Sequence, residues 1–146
     1  MCAIATRDDA RDSWEECKAL HGKIFRLVFA GGLSGAGVLM AELAHNLTLI
    51  QAYAALGVAL LFKLEKPLDD RSTLGTLIRK CNEEALVNWV NSDLIDEGQI
   101  RRNRVAHHAE WLDRAKVFEY AEAIQDELIA MGILDKSELY LFYTRR

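Results

Sequence analysis

Proline and aromatic residues are scarce in this chain. Proline occurs once, at Pro67, and phenylalanine, tryptophan and tyrosine together make up 8% of the 146 residues. This composition favours neither intrinsic disorder nor a turn-rich β architecture. The hydrophobic content of 51% is enough to fill a core, and the length is that of one ordinary domain. We therefore expect residues 1–146 to form a single domain.

Cysteine is also rare. Cys2, Cys17 and Cys81 are odd in number, and no two of them are spaced as Cys-x-x-Cys. This argues against a disulfide framework and a cysteine-rich metal site, and it fits a reducing compartment. The N-terminal sequence MCAIATRDDARD lacks the apolar segment of a secretory signal. We expect a cytoplasmic protein.

The one long apolar run covers residues 38–62. A membrane-spanning helix needs roughly 20 apolar residues. Glu42, His45, Asn46 and Gln51 interrupt this run, and a carboxylate inside a bilayer is costly. The run therefore favours a buried helix of a bundle, and we expect no membrane partner.

Helical periodicity marks the first half of the chain. Apolar residues at three- and four-residue spacing predict helices over residues 7–29 and 39–64. A glycine-rich connection at residues 31–37 joins them. His21 lies on the apolar face of the first helix, which favours a core or interface histidine over a metal ligand. Pro67 stops the second helix.

The second half predicts further helices after a linker at residues 66–70. A third helix is expected from a cap at Ser72 or Thr73 through Trp89, followed by a short helix from Leu94 towards His107. A last long helix is expected from an Asp113 cap to Gly132. The aromatic tail over residues 137–146 is expected to form a short helix or a strand. The predicted fold is an all-α bundle of four main helices plus short extra helices. Residues 135–146 form its C-terminal tail.

Residues 101–108 hold three arginines, one asparagine and two adjacent histidines. Residues 101–116 contain five basic and two acidic side chains, a net charge of +3. Residues 82–100 contain five acidic side chains and no lysine or arginine, and the whole chain has a formal charge of −4. A local basic patch on an acidic protein suits an anionic ligand held at one site rather than nonspecific coating of nucleic acid.

Residues 102–107, RNRVAH, place an arginine and a histidine with four residues between them. This closely resembles the motif of the HEPN superfamily, the higher-eukaryote and prokaryote nucleotide-binding domains, in which four to six residues separate the two. The form Arg-Asn-x-x-Ala-His is common among them. The family is a small helical bundle with the motif near the start of its last long helix, where it falls here. The resemblance covers residues 7–134 and implies one HEPN-like domain.

The resemblance implies a metal-independent endoribonuclease that uses no cofactor. In that family the RNA 2′-hydroxyl attacks the adjacent phosphate and leaves a cyclic phosphate and a free 5′-hydroxyl. Two motifs of a homodimer commonly face each other across one cleft. Many members are toxins of toxin–antitoxin or phage-defence systems. The expected partners are therefore RNA, a second copy of the chain and a cognate antitoxin protein.

The residue types suit this reaction. His107 is the candidate general acid and base, because histidine exchanges protons near neutral pH. Arg102 is the candidate clamp on the phosphate, whose charge grows in the transition state. No acidic pair near the motif offers ligands for a two-metal mechanism. The candidate catalytic residues are Arg102, Asn103 and His107, and the candidate substrate-binding residues are Arg101, Arg104 and His108.

Helix geometry leaves the exact partners open. At roughly 100° per residue, Asn103 and Arg104 share a face with His107, whereas Arg102 lies about 140° away from it. Either the long Arg102 side chain wraps back, or the helix bends or ends inside the motif. Arg104 is the alternative helper, and His108 is the rival of His107.

Other readings of the cluster remain. A non-catalytic HEPN-like module would bind a nucleotide, RNA or a protein through the same patch. An all-α scaffolding protein would use the cluster only to close a dimer interface. Arginine and histidine also stabilise a helix end through the macrodipole and through salt bridges to acids such as Glu97 or Glu110. Ala109 stands where relatives paired with a nucleotidyltransferase antitoxin carry tyrosine, which argues against that partner.

Overall fold

The computed structural model describes residues 3–29 and 35–142. Over these residues the chain contains no strand, only one isolated bridge between Ile4 and Pro67, which confirms the predicted all-α class. The elements are α1 (Arg7–Phe29), α2 (Gly35–Lys63), α3 (Leu74–Glu83), α4 (Ser92–His108), α5 (Arg114–Ala130) and a short 3-10 helix (Lys136–Glu138). Of the predicted glycine-rich connection, residues 31–34 lie outside the described ranges, and Gly35 begins α2.

The central helix of the bundle is α2, which packs against all four other α-helices. Its Leu49, Leu56 and Leu60 have no exposed surface. By length and composition alone, Glu42–Lys63 could cross a membrane, but 61% of its most apolar window is buried inside the protein. The core helix of a bundle has the same properties, so this segment is only weak evidence for a membrane span.

Three helices end in the same way. Glu65, Ala85 and Gly132 adopt left-handed backbone, with φ of 55°, 52° and 79°. The N–H of the following residue then reaches back to a carbonyl five residues earlier, which is the Schellman arrangement. It ends α2 at Lys63, ahead of Pro67. It also ends α3 at Glu83, so the prediction of a helix through Trp89 was wrong.

A buried carboxylate fixes the start of α4. Glu127 of α5 has no exposed surface and accepts hydrogen bonds from the N–H groups of Val90 and Asn91, at 2.8 and 2.7 Å. The helix then begins at Ser92 and runs for 17 residues. The predicted helix from Leu94 is therefore longer than expected, and α4 is one of the long helices of the bundle.

The C-terminal segment packs back onto the bundle. Gln125 exchanges two hydrogen bonds with the backbone of Tyr140, whose hydroxyl lies 2.6 Å from Nδ1 of His21. Phe142 has no exposed surface and contacts the ring of Trp14. Of the predicted tail, only Lys136–Glu138 is helical, and residues 143–146 lie outside the described residues.

Candidate functional site

The Arg/His cluster occupies the last two turns of α4 and not, as expected from the sequence, the start of the last long helix, which is α5. Ile95, Gly98 and Val105 are the buried residues of this helix. Their spacing of three and seven residues defines the inner face, and Arg102 falls on the same face between Gly98 and Val105. Arg102 therefore points towards the bundle, although it belongs to a strongly charged stretch.

Gly98 holds α4 close to its neighbours. A Cβ atom at this position would lie 2.1 Å from the Tyr53 hydroxyl of α2 and 2.9 Å from the Tyr120 ring of α5. Tyr53 donates to the carbonyl of Ile95 at 2.8 Å, and Tyr120 donates to Glu97. Only glycine permits this close approach. It fixes the helix one turn before Arg102.

Arg102 borders a cleft where α2, α3 and α4 meet. The cleft measures about 220 Å³. We call it the Arg102 cleft, and it is lined by Val58 and Leu61 of α2, Leu74 and Leu77 of α3, Asp70 and Ser72 of the loop between them, and Arg102. Nη1 of Arg102 donates to Asn103 Oδ1 at 3.1 Å. Nε of Arg102 is buried and has no hydrogen-bond partner among the described residues.

Asp70 is the anionic group of the Arg102 cleft. Its Oδ1 accepts the N–H of Ser72 at 2.8 Å. Hydrogen bonds from the Ser72 side chain and backbone hold the pKa of Asp70 below its usual range, so the carboxylate is ionised at neutral pH. Within the described residues, no ion pair joins Asp70 to Arg102.

The other candidate residues lie at the exposed end of α4. Asn103, Arg104, His107 and His108 are exposed, and Arg101 is half-buried. Nε of Arg104 lies 3.9 Å from a carboxylate oxygen of Glu110. Cations in this position benefit from the negative end of the helix dipole. A structural role is therefore enough to explain the exposed members of the cluster.

The helix stays continuous through the motif. It ends only after His108, where Ala109 adopts left-handed backbone with φ of 52°. Arg102 and His107 thus leave α4 about 140° apart, and no hydrogen bond joins them in the described structure. The fold brings together Arg102 and Asn103. His107 points to another side of the helix, away from Arg102. Asn103 lies between these two directions and is hydrogen-bonded only to Arg102 of the two.

The segment after α4 is tied to the central helix. The side chain of Asn46, buried in α2, exchanges two hydrogen bonds of 2.9 Å with the backbone of Leu112. Arg114 lies 3.4 Å from Glu42 of α2. Trp111 beside this contact is 53% exposed, and Leu47 on the helix side is 51% exposed. Trp111, three residues after the end of α4, is therefore an exposed apolar side chain next to the motif.

Asp70 and Ser72 were missed by the sequence prediction, which placed them in a linker and at a helix cap. A local signal was present, since an aspartate two residues before a serine often forms a side-chain-to-backbone turn. What the sequence could not show is that this turn lies beside Arg102, some 30 residues later. Among the described residues, no group of three His, Cys, Asp or Glu is placed to hold a metal ion.

A search of family models, of curated proteins and of solved structures finds no match to this chain.

Proposed function

We propose that this protein is a metal-independent endoribonuclease of the HEPN type, acting as a homodimer. The proposal combines the sequence motif of α4 with one observation, the buried and unpaired Nε of Arg102. A buried donor without a partner costs free energy of about 1–3 kcal/mol. A turn of the Arg102 side chain towards the cleft would expose Nε to an anionic ligand, which would supply the missing acceptor.

The alternative of a purely structural cluster explains less. The helix dipole and the contact with Glu110 account for Arg104, His107 and His108, which are exposed. They do not account for Arg102, which lies on the inner face of α4 at a cleft with apolar and polar walls, where no ion pair within the described residues joins it to Asp70. An arginine there is costly unless it has an anionic partner, and that is what the proposed function provides.

Each residue has a defined part in the reaction. His107 takes the proton from the 2′-hydroxyl, whose oxygen attacks the phosphorus and displaces the 5′-oxygen of the next nucleotide. The departing 5′-oxygen takes up a proton from water and becomes the free 5′-hydroxyl. Arg102 donates to the phosphate oxygens as their charge grows. Asn103, already bonded to Arg102, orients the guanidinium. Arg101, Arg104 and His108 contact the flanking phosphates. The products are a 2′,3′-cyclic phosphate and a free 5′-hydroxyl, and no metal takes part.

The biological setting in this proposal comes from the family resemblance alone. A cytoplasmic toxin or phage-defence effector with a cognate antitoxin protein is the setting that the resemblance implies. A tyrosine-modifying antitoxin is not part of it, because Ala109 occupies the modified position.

The test is cleavage of a labelled RNA in EDTA by the wild type, His107→Ala and Arg102→Ala. We expect both substitutions to lower the rate by about 100-fold or more, because each removes a group that acts in the transition state. Arg79→Ala is the matched control for charge, since Arg79 lies on α3 and is 65% exposed. It should cleave like the wild type.

The second candidate is a non-catalytic module that binds RNA, and the separation of Arg102 from His107 on α4 favours it. It predicts no cleavage by the wild type, RNA binding that Arg102→Ala abolishes, and no effect of His107→Ala. Circular dichroism melts of all variants would confirm that each one is folded. Cleavage that survives both substitutions would reject the proposed site.

A further inference from the structure

The Arg102 cleft has two kinds of wall. Val58 and Leu61 of α2 and Leu74 and Leu77 of α3 are apolar, whereas Asp70, Ser72 and Arg102 are polar. Pockets that enclose drug-sized ligands measure about 300–1,000 Å³. At about 220 Å³ the cleft is smaller, and it suits one planar ring system with its substituents rather than a whole nucleotide.

A nucleobase can contact both the apolar and the polar walls. Its faces are apolar enough to pack against aliphatic side chains, and its edge carries hydrogen-bonding groups. Arg102 itself lines the cleft, so its guanidinium is placed to hold the phosphate of a nucleotide whose base enters the cleft. The chemistry of the cleft therefore matches one nucleotide, with the base inside and the phosphate on the guanidinium.

Asp70 determines which base fits. Its carboxylate is ionised and only accepts hydrogen bonds. Guanine presents two adjacent donors, N1–H and the N2 amino group, which match the two oxygens of a carboxylate. Adenine and cytosine each offer one amino group beside a ring acceptor. Uracil offers one N–H between two carbonyl oxygens, which a carboxylate repels.

We propose that the Arg102 cleft is the base-binding subsite and that Asp70 selects guanine there, while Arg102 holds the attached phosphate. This inference rests on the proposed ribonuclease function, because it assigns the base on the 5′ side of the cleaved bond. Binding itself can be measured without cleavage, so the two ideas can fail separately.

The probes are guanosine and uridine 3′-monophosphates, titrated calorimetrically into the wild type, Asp70→Asn and Asp69→Asn. We expect the wild type to bind the guanine nucleotide roughly 5- to 100-fold more tightly, the range for a good bidentate pair. In Asp70→Asn the ratio should fall to near one, because an amide has only one acceptor. Asp69→Asn makes the same charge change at an exposed neighbour and should keep the ratio.

A second variant covers the case in which Asp70→Asn does not fold. Gly57 of α2 also lines the cleft. A Cβ atom there meets only Leu74 Cδ1, at 3.9 Å, and a helical glycine generally tolerates replacement by a good helix former. Gly57→Met should fold and fill the cleft, so that it loses binding of both nucleotides. Retained guanine preference in Gly57→Met would overturn the proposal.

The remaining outcomes separate the two ideas. Equal binding of the two nucleotides by the wild type, or binding of neither, overturns the base subsite whatever happens to RNA. Guanine preference that depends on Asp70, without RNA cleavage, keeps the subsite and rejects the ribonuclease. Cleavage after all four bases alike, unchanged in Asp70→Asn, keeps the ribonuclease and rejects the subsite.

Discussion

His45 is a histidine of α2 with no exposed surface and no hydrogen-bond partner for either ring nitrogen within the described residues. Its ring packs against Phe118 and His21, with centroids 5.0 and 5.7 Å away. Burial and the nearby positive charge of Arg114 lower the pKa of His45 from 6.5 to about 4. The side chain is therefore neutral in the folded protein at neutral pH.

This pKa makes stability depend on pH. Between pH 6.5 and about 4 the unfolded chain binds a proton at His45 that the folded protein does not bind. The free energy of unfolding must then fall as the pH is lowered through this window, by up to about 3 kcal/mol from this group. We expect His45→Leu to reduce that loss, because leucine cannot take up the proton. Urea unfolding at pH 7.5, 6, 5 and 4 would measure it.

The matched control is His108→Leu, since His108 is exposed at the end of α4. This variant should not reduce the loss of free energy between pH 6.5 and 4. A profile in which His45→Leu and the wild type lose the same free energy between pH 6.5 and 4 would reject this role for His45.

At the scale of the helices, α2, α3 and α5 each end with a residue in left-handed backbone, but the strain at that residue differs between them. Left-handed backbone is strained by roughly 1–2 kcal/mol for a residue with a Cβ atom and is free of this strain for glycine. Gly132 meets the requirement, but Ala85 and Glu65 do not. The ends of α2 and α3 therefore store strain that the end of α5 does not.

We expect Ala85→Gly to stabilise the protein by about 0.5–1 kcal/mol, because relief of strain exceeds the added backbone entropy of the unfolded chain. The melting temperature should rise by roughly 2 °C. Gly132→Ala is the opposite change at an equivalent position, where a Cβ atom would meet nothing within 4 Å. It should lower stability by a similar amount, and equal signs for the two variants would contradict this account.

These ends also show where sequence and structure diverge. The end of α5 was predictable because Gly132 is the residue that left-handed backbone favours. The end of α3 was not predictable, because alanine gives no such signal. The hydrogen bonds that Val90 and Asn91 donate to buried Glu127, after α3, arise only in the folded bundle. The same holds for the site. Arg102 was identifiable from its motif, whereas its position beside Asp70 depends on how α2, α3 and α4 meet.

At the scale of the whole molecule, the positions of Arg102 and His107 bear on association. They lie about 140° apart on one continuous helix. A second copy related by two-fold symmetry would let the Arg102 of one chain meet the His107 of the other. The exposed Trp111 just after the motif offers apolar surface for such an interface.

A mixing experiment tests this arrangement. Arg102→Ala and His107→Ala are each expected to be inactive, but a mixed dimer would contain one centre with both native residues. Equal amounts of the two variants, exchanged by dilution and reconcentration, should recover about a quarter of the wild-type cleavage rate if subunits pair at random. Confirmed subunit exchange without recovered cleavage would place both residues of a centre in one chain.

The packing of Tyr140 against His21 matters for how the protein is made. The two residues are 119 positions apart, and ribosomes add about 5–20 residues per second. The face of α1 that packs against Tyr140 and Phe142 is therefore synthesised roughly 6–24 s before those two residues. A nascent chain that stops before Phe142 leaves this apolar face of α1 exposed to chaperones and proteases. The bundle is therefore complete only after Phe142 has been synthesised.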